Sequence, residues 1–189
     1  MTDADAGTAE AGASERHPRL ICFDLDYTLW PLWIDTHVSP PFSRDGDTHN
    51  EVKDSSGSTI RFYKDVPAIF ARLSAQPQTQ VAACSRTHAP GDARDALDLL
   101  LIRDHEGETK PARHFFHHEE IYPGSKMQHF RALHKKTGIP YKEMLFFDDE
   151  YRNNEVSSLG VTFVLVKRGL DEETFQKGLA KWRSRQGDS

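Results

Sequence analysis

Cysteine is scarce in this chain, long apolar runs are missing, and positive charge is not in excess. Its 189 residues include two cysteines, Cys22 and Cys84, both inside apolar, strand-like stretches. They offer no disulfide framework, so a reduced intracellular setting, cytoplasm or nucleus, is expected. No apolar stretch approaches the roughly 20 residues that a membrane-spanning helix needs. Lys and Arg number 24 against 29 Asp and Glu, a formal net charge of −5. That balance gives a nucleic acid no electrostatic footing. The opening MTDADAGTAEAGASERHP has no hydrophobic signal core and is too acidic for a typical transit peptide. Residues 1–17 read as a disordered tail, and a monomer with neither nucleic acid nor membrane partner is expected.

Two phosphate-handling signatures are missing as well. A cysteine phosphatase needs Arg six positions after its Cys, but Pro90 stands there for Cys84 and Thr28 for Cys22. No glycine-rich loop of the GxxxxGK[ST] type occurs either.

What is present is an alternation of strand and helix patterns. Strands are expected at Leu20–Phe23, Gln80–Cys84, Glu143–Phe147 and Val161–Val166, with further candidates at Thr59–Tyr63 and His114–His117. Val66, Ile69, Phe70 and Leu73 predict a helix over Asp65–Ala75 with Asp65 as N-cap. Ala93, Ala96, Leu97, Leu100 and Leu101 predict another, preceded by the breaker pair Pro90-Gly91. A third spans Ser125–Lys136, stopped by Gly138 and Pro140, and Phe175, Leu179 and Trp182 mark a closing one. Such alternation predicts an α/β fold over residues 18–186, a Rossmann-like three-layer sandwich around a mainly parallel sheet. Pro31 to Lys64 breaks the rhythm with Pro40-Pro41 and the polar run SRDGDTHNEVKDSSGS. This insertion has room for a flap or hairpin but not for a large cap domain, and Asp104–Arg113 reads as a long loop.

The chemistry lies at the strand ends. LICFDLDYTLW, residues 20–30, runs from an apolar strand straight into Asp24 and Asp26. A carboxylate beside a core needs compensation. In a parallel sheet, ligands bind at the carboxyl ends of the strands. There the next strands deliver Ser85 with Arg86 and the pair Asp148-Asp149, while Lys126 opens a helix. Any single strand-end aspartate could equally be a turn or N-cap residue. Two acidic pairs on one sheet would repel each other without a cation. Hard oxygen donors without His or Cys suit magnesium. His117 and His118 would face opposite sides of a strand, so a shared zinc is not expected. Tyr27, Trp30, Trp33 and Phe42 serve either to pack the flap or to line a pocket.

The ordered set Asp24-Leu25-Asp26-Tyr27-Thr28, Ser85, Lys126 and Asp148-Asp149 resembles the four motifs of the haloacid dehalogenase-like superfamily. DLDYTLWP at 24–31, DTHVSPPF at 35–42, CSRT at 84–87, EIYPGSK at 120–126 and FFDDE at 146–150 are similar, more narrowly, to the magnesium-dependent phosphatase-1 family. The resemblance implies a magnesium-dependent phosphomonoester hydrolase that works through a covalent aspartyl-phosphate. Asp24 would be the nucleophile and Asp26 the general acid and base. Leu25, Ser85, Arg86 and Lys126 would hold the substrate, and Asp24, Asp26, Asp148 and Asp149 the metal. Related ion-pumping ATPases carry Thr at the place of Asp26 and dehalogenases lack this acid, so its presence favours a phosphatase. A phosphomutase or phosphotransferase would share it, and a catalytically inactive binding module on the same fold is the alternative of a different class. The family suggests phosphotyrosine and other aryl phosphates, or sugar phosphates including fructosamine phosphates, on small molecules or phosphoproteins.

Overall fold

Strand β1 (Leu20–Phe23) is buried at all four residues and lies at the centre of a five-stranded sheet. In this computed structural model, which describes residues 16–187, β1 pairs in parallel with β4 (Gln80–Ser85) and with β8 (Met144–Asp148). The outer strands β7 (His118–Ile121) and β9 (Thr162–Leu165) are also parallel, giving the order β7-β4-β1-β8-β9. The tail expected over 1–17 lies outside the described residues apart from Arg16 and His17.

The central strands are continuous apolar runs because both sheet faces are covered. Ile21 and Phe23 face one core together with Phe70, Phe147, Phe175 and Trp182. Leu20 and Cys22 face the other with Phe130, Phe146 and Phe163. Helices α1 (Val66–Leu73), α2 (Pro90–Leu99) and α4 (Glu172–Gly187) pack on the first face, and α3 (Lys126–Thr137) on the second. This is the expected three-layer α/β sandwich. Helix α3 starts at Ser125, whose Oγ accepts from the Gln128 N–H, and stops at Gly138, which takes the left-handed conformation at φ +67°.

Several elements differ from the sequence expectation. Pro90 and Gly91 do not precede α2 but open it, because proline's missing N–H costs nothing in a first turn. The helix ends at Leu99, and Leu101 belongs to β5 (Leu101–Arg103), which pairs with β6 (Thr109–Pro111). The expected loop at 104–113 is therefore largely a hairpin. Residues 112–115 form a 3-10 turn rather than a strand, and pairing begins only at His118, opposite Ala82. The Thr59–Tyr63 strand shortens to β3 (Thr59–Ile60), paired with β2 (Val52–Lys53), since the Phe62 N–H goes to the Asn50 side chain instead. Asp65 does stand at the N-cap position of α1, as expected, but its side chain makes no cap bond there and its carboxylate accepts from the Glu172 N–H at the start of α4.

Candidate active site

Asp24, Ser85 and Asp148 sit together because β1, β4 and β8 are parallel neighbours that end at the same edge. Asp24 is still in the ladder, its N–H donating to the Phe147 carbonyl at 2.9 Å. The chain then turns sharply, with the N–H groups of Thr28, Leu29 and Trp30 all directed at the Leu25 carbonyl. Tyr27, in this turn, holds φ at +53°, a conformation few aromatic residues adopt. The turn and the flap entrance seat Asp26, whose Oδ1 accepts from the Trp30 indole at 2.7 Å and from the Ile34 N–H at 3.2 Å.

Lys126, at the first turn of α3, is completely buried. Its ammonium donates to Asp24 Oδ1 and to the Cys84 carbonyl, and lies 3.1 Å from Asp148 Oδ2. Burial works against the ammonium charge, but the Asp24 and Asp148 carboxylates outweigh it and keep the lysine charged. Asp148 is held on both oxygens by the Asn153 amide at 2.9 Å, and Oδ1 also accepts from the Glu150 N–H at 2.7 Å.

One ammonium does not balance this much negative charge. Burial pushes the Asp24 carboxyl well up against the pull of Lys126, and Asp148 adds to the rise. Asp26 is raised to about 6, because burial outweighs the hydrogen bonds from Trp30 and Ile34. Asp149 is raised to about 7 by burial and by the neighbouring Asp148 and Glu150 charges. A set of hard carboxylate oxygens that resists its own ionisation fits a divalent cation, magnesium above others.

These groups border an open pocket of about 400 Å³. Of the residues singled out from sequence, Asp24, Asp26, Ser85, Arg86, Lys126 and Asp149 line it. Leu25 has its side chain in the core and its carbonyl in the turn, so its backbone N–H is what it can offer a ligand. Asp148 lies behind the wall, wholly buried. The four aromatics in and just before the flap divide. Trp30 is buried and stacks on Phe62, Phe42 packs against the core, and Trp33 lines the pocket with Tyr27 edge-on to it at 5.3 Å. His117 and His118 take separate partners, the Val81 N–H and the Gln80 side chain.

Among the pocket residues without a role expected from sequence, Asn153 and Asp35 hold others in place. Asn153 stands in the 3-10 segment Tyr151–Leu159, five positions after Asp148. Asp35 accepts from the His88 N–H at 3.1 Å and so ties the flap to the loop that follows Ser85 and carries Arg86. Asp35 does open the DTHVSPPF pattern, but nothing local reveals its partner.

The family model described as Acid Phosphatase matches residues 16–185. The chain belongs to that family. It lies, with its relatives, in the haloacid dehalogenase-like superfamily. A HAD-like hydrolase superfamily protein of Schizosaccharomyces pombe is 47% identical over 162 residues, covering 85% of this chain and 93% of that protein. Magnesium-dependent phosphatase 1 of Homo sapiens is 45% identical over 166 residues, covering 87% and 86%. Among solved structures, a HAD family enzyme from Bacteroides thetaiotaomicron in a magnesium complex superposes with a TM-score of 0.57 at 14% identity. That match covers 86% of this chain and all of the other, and it shows a shared fold alone.

Proposed function

We propose that the chain is a magnesium-dependent phosphomonoester hydrolase that works through a phosphorylated Asp24. The observation that carries this reading is the buried Lys126 ammonium shared by Asp24 and Asp148, beside an Asp26 carboxyl raised to about 6. Asp24, Asp148, Asp149 and the Asp26 backbone carbonyl would hold the magnesium ion. When bound, it supplies the positive charge that lets a carboxylate approach a phosphate dianion.

The chain's own groups then perform two half-reactions. Lys126 engages Asp24 Oδ1, which leaves Oδ2 to form the bond to phosphorus as the ester P–O bond breaks. Ser85 Oγ, the Arg86 guanidinium and the Leu25 N–H hold the phosphoryl oxygens. Asp26, fixed through Oδ1 by Trp30 and Ile34, hands its proton to the leaving oxygen. A carboxyl near 6 stays protonated in part at neutral pH and is strong enough an acid to give that proton up. In the second half, water attacks phosphorus and its proton passes to Asp26. The acyl-phosphate bond breaks, inorganic phosphate leaves, and the Asp24 carboxylate is restored.

The substrate reading covers aryl phosphates, phosphotyrosine among them, and sugar phosphates including fructosamine phosphates. An open pocket beneath a short flap, with Trp33 at its wall, supports both classes. The test is a monoester screen with magnesium, comparing aryl phosphates, phosphopeptides and sugar phosphates. Equal turnover in excess chelator, with metal removal verified by elemental analysis, would sink the proposal.

A further inference from the structure

Asn153 is 2% exposed, and its amide is used at both ends. Nδ2 donates to both oxygens of Asp148 at 2.9 Å, and Oδ1 accepts from the Arg86 guanidinium at 3.3 Å. With an acceptor on one side and a donor on the other, a single amide orientation satisfies both neighbours. Asn153 thereby closes a chain of contacts, Lys126 to Asp148 to Asn153 to Arg86, which spans α3, the end of β8 and the loop after β4. A carboxylate at this position could not donate to Asp148 and would add charge where it is already in excess. An apolar residue would strip Asp148 of a donor and release Arg86.

We propose that Asn153 is a positioning residue that couples the acidic metal-holding side of the pocket to the arginine that holds the phosphoryl group. The proposal rests on the phosphohydrolase reading above. Its physical content is that one neutral amide fixes the carboxylate of Asp148 and the direction of Arg86 together. Removing a partner that orients a ligating carboxylate typically costs about 10- to 100-fold in metal affinity.

The test uses Asn153→Leu in the full chain, alone and combined with Arg86→Ala. Calorimetric titration with magnesium, without substrate, should show affinity weakened about 10-fold or more. The KM for an aryl phosphate and the inhibition constant of inorganic phosphate should both rise about 10-fold, because Arg86 loses its guide. In the Arg86→Ala background, Asn153→Leu should leave KM within about 2-fold while its effect on magnesium affinity persists. Asn153→Asp separates the two contacts, since it keeps the oxygen facing Arg86 but loses the donor to Asp148, and the melting temperatures of both variants tell a folding defect from a lost contact. Its KM should stay within about 2-fold of the parent's even where its magnesium affinity changes. A KM rise by Asn153→Leu that is equally large with and without Arg86 would overturn the coupling. So would parent-like magnesium affinity and KM in a folded Asn153→Leu chain. A parent chain without magnesium-dependent turnover would overturn the phosphohydrolase reading, and this inference with it. Parent turnover beside unshifted variants overturns the inference alone.

Discussion

At the tip of the β5–β6 hairpin, Asp104, Glu106 and Glu108 bring carboxylate oxygens within 4.8 Å of one another. At the ends of β1 and β8, Asp24, Asp26, Asp148 and Asp149 line or back the pocket. By proximity the hairpin is the better metal cluster, yet its electrostatics argue otherwise. Lys110 reaches Asp104 at 2.6 Å and Glu108 at 2.9 Å, while the other Asp104 oxygen accepts the Glu106 and Glu108 N–H groups. The Asp104 carboxyl is held low, chiefly by Lys110. Asp26 and Asp149 are instead pushed up to about 6 and about 7, because burial removes water without supplying enough donors. On the proposed function, what sets Asp26 and Asp149 apart from the hairpin acids is unmet charge rather than closeness.

The sharpest way to break that contrast is to remove one working carboxylate. Asp24→Asn should lower turnover of any monoester about 1000-fold or more, with the circular dichroism spectrum unchanged, because an amide cannot serve as the nucleophile. Asp104→Asn should leave turnover at the parent level. Parent-like activity in the Asp24 variant would end the aspartyl-phosphate mechanism.

Asp26→Asn should cost about 100-fold or more on alkyl monoesters, whose leaving oxygen needs a proton. A nitrophenyl phosphate needs that acid less, whereas the attacking water still needs a base. The variant fed this substrate should accumulate phosphorylated Asp24, detected by rapid acid quench and mass spectrometry. If it hydrolyses both substrate classes like the parent, Asp26 is a strand-end carboxylate and no more.

Magnesium itself should respond to pH. A carboxyl raised to about 7, as at Asp149, binds a proton that the metal must displace. Apparent magnesium affinity should therefore climb between pH 5.5 and 8, about 10-fold per proton displaced for each pH unit below that carboxyl's pKa. Protons should be released, measurable by calorimetry in buffers of different ionisation enthalpy. The metal-free fold should show the converse. A raised carboxyl stabilises it fully at low pH, and that contribution is lost as pH rises through about 7. Chelated protein should melt lower at pH 8 than at pH 5.5 insofar as Asp149 governs, and added magnesium should narrow the gap. A flat affinity profile would contradict the account of Asp149.

Much of this is legible in the sequence. Leu20–Phe23, Gln80–Ser85 and Met144–Asp148 are apolar runs that end abruptly in polar residues, so the sheet and its functional edge follow from pattern alone. The β5–β6 hairpin was not legible. Leu100 and Leu101 continue the helical spacing of Ala93, Ala96 and Leu97, and Thr109-Lys110-Pro111 has no apolar face of its own. Tertiary pairing overrode a local period there. In the site, Asp24, Asp26, Ser85, Lys126 and Asp148 are marked by their place at element ends. Asn153 and Asp35 are not, because each is defined by a partner in another segment, Arg86 or the His88 backbone.

The smallest expected effect tests the other half of the comparison, carboxylates whose donors are fully supplied. In the loop between β2 and β3, Asp54 accepts from the Ser39 N–H at 2.9 Å on one oxygen. Its other oxygen accepts from the N–H groups of Ser56 and Ser58 and from the Ser56 hydroxyl. Burial alone would raise this carboxyl, but those hydrogen bonds outweigh it and hold it down to about 2. A carboxyl depressed in the fold stabilises it above the ordinary value near 4 and loses that contribution as pH falls through about 2. Asp54→Asn keeps the shape but turns one acceptor oxygen into a donor that faces the Ser39 N–H. Its urea midpoint should fall modestly below the parent's at pH 6, and the gap should close as pH drops from about 5 towards 2. Turnover and magnesium affinity should stay at parent values, since the carboxylate has no free oxygen for a metal or substrate. A changed magnesium affinity in this variant would mean that donor supply does not separate structural from working carboxylates in this chain.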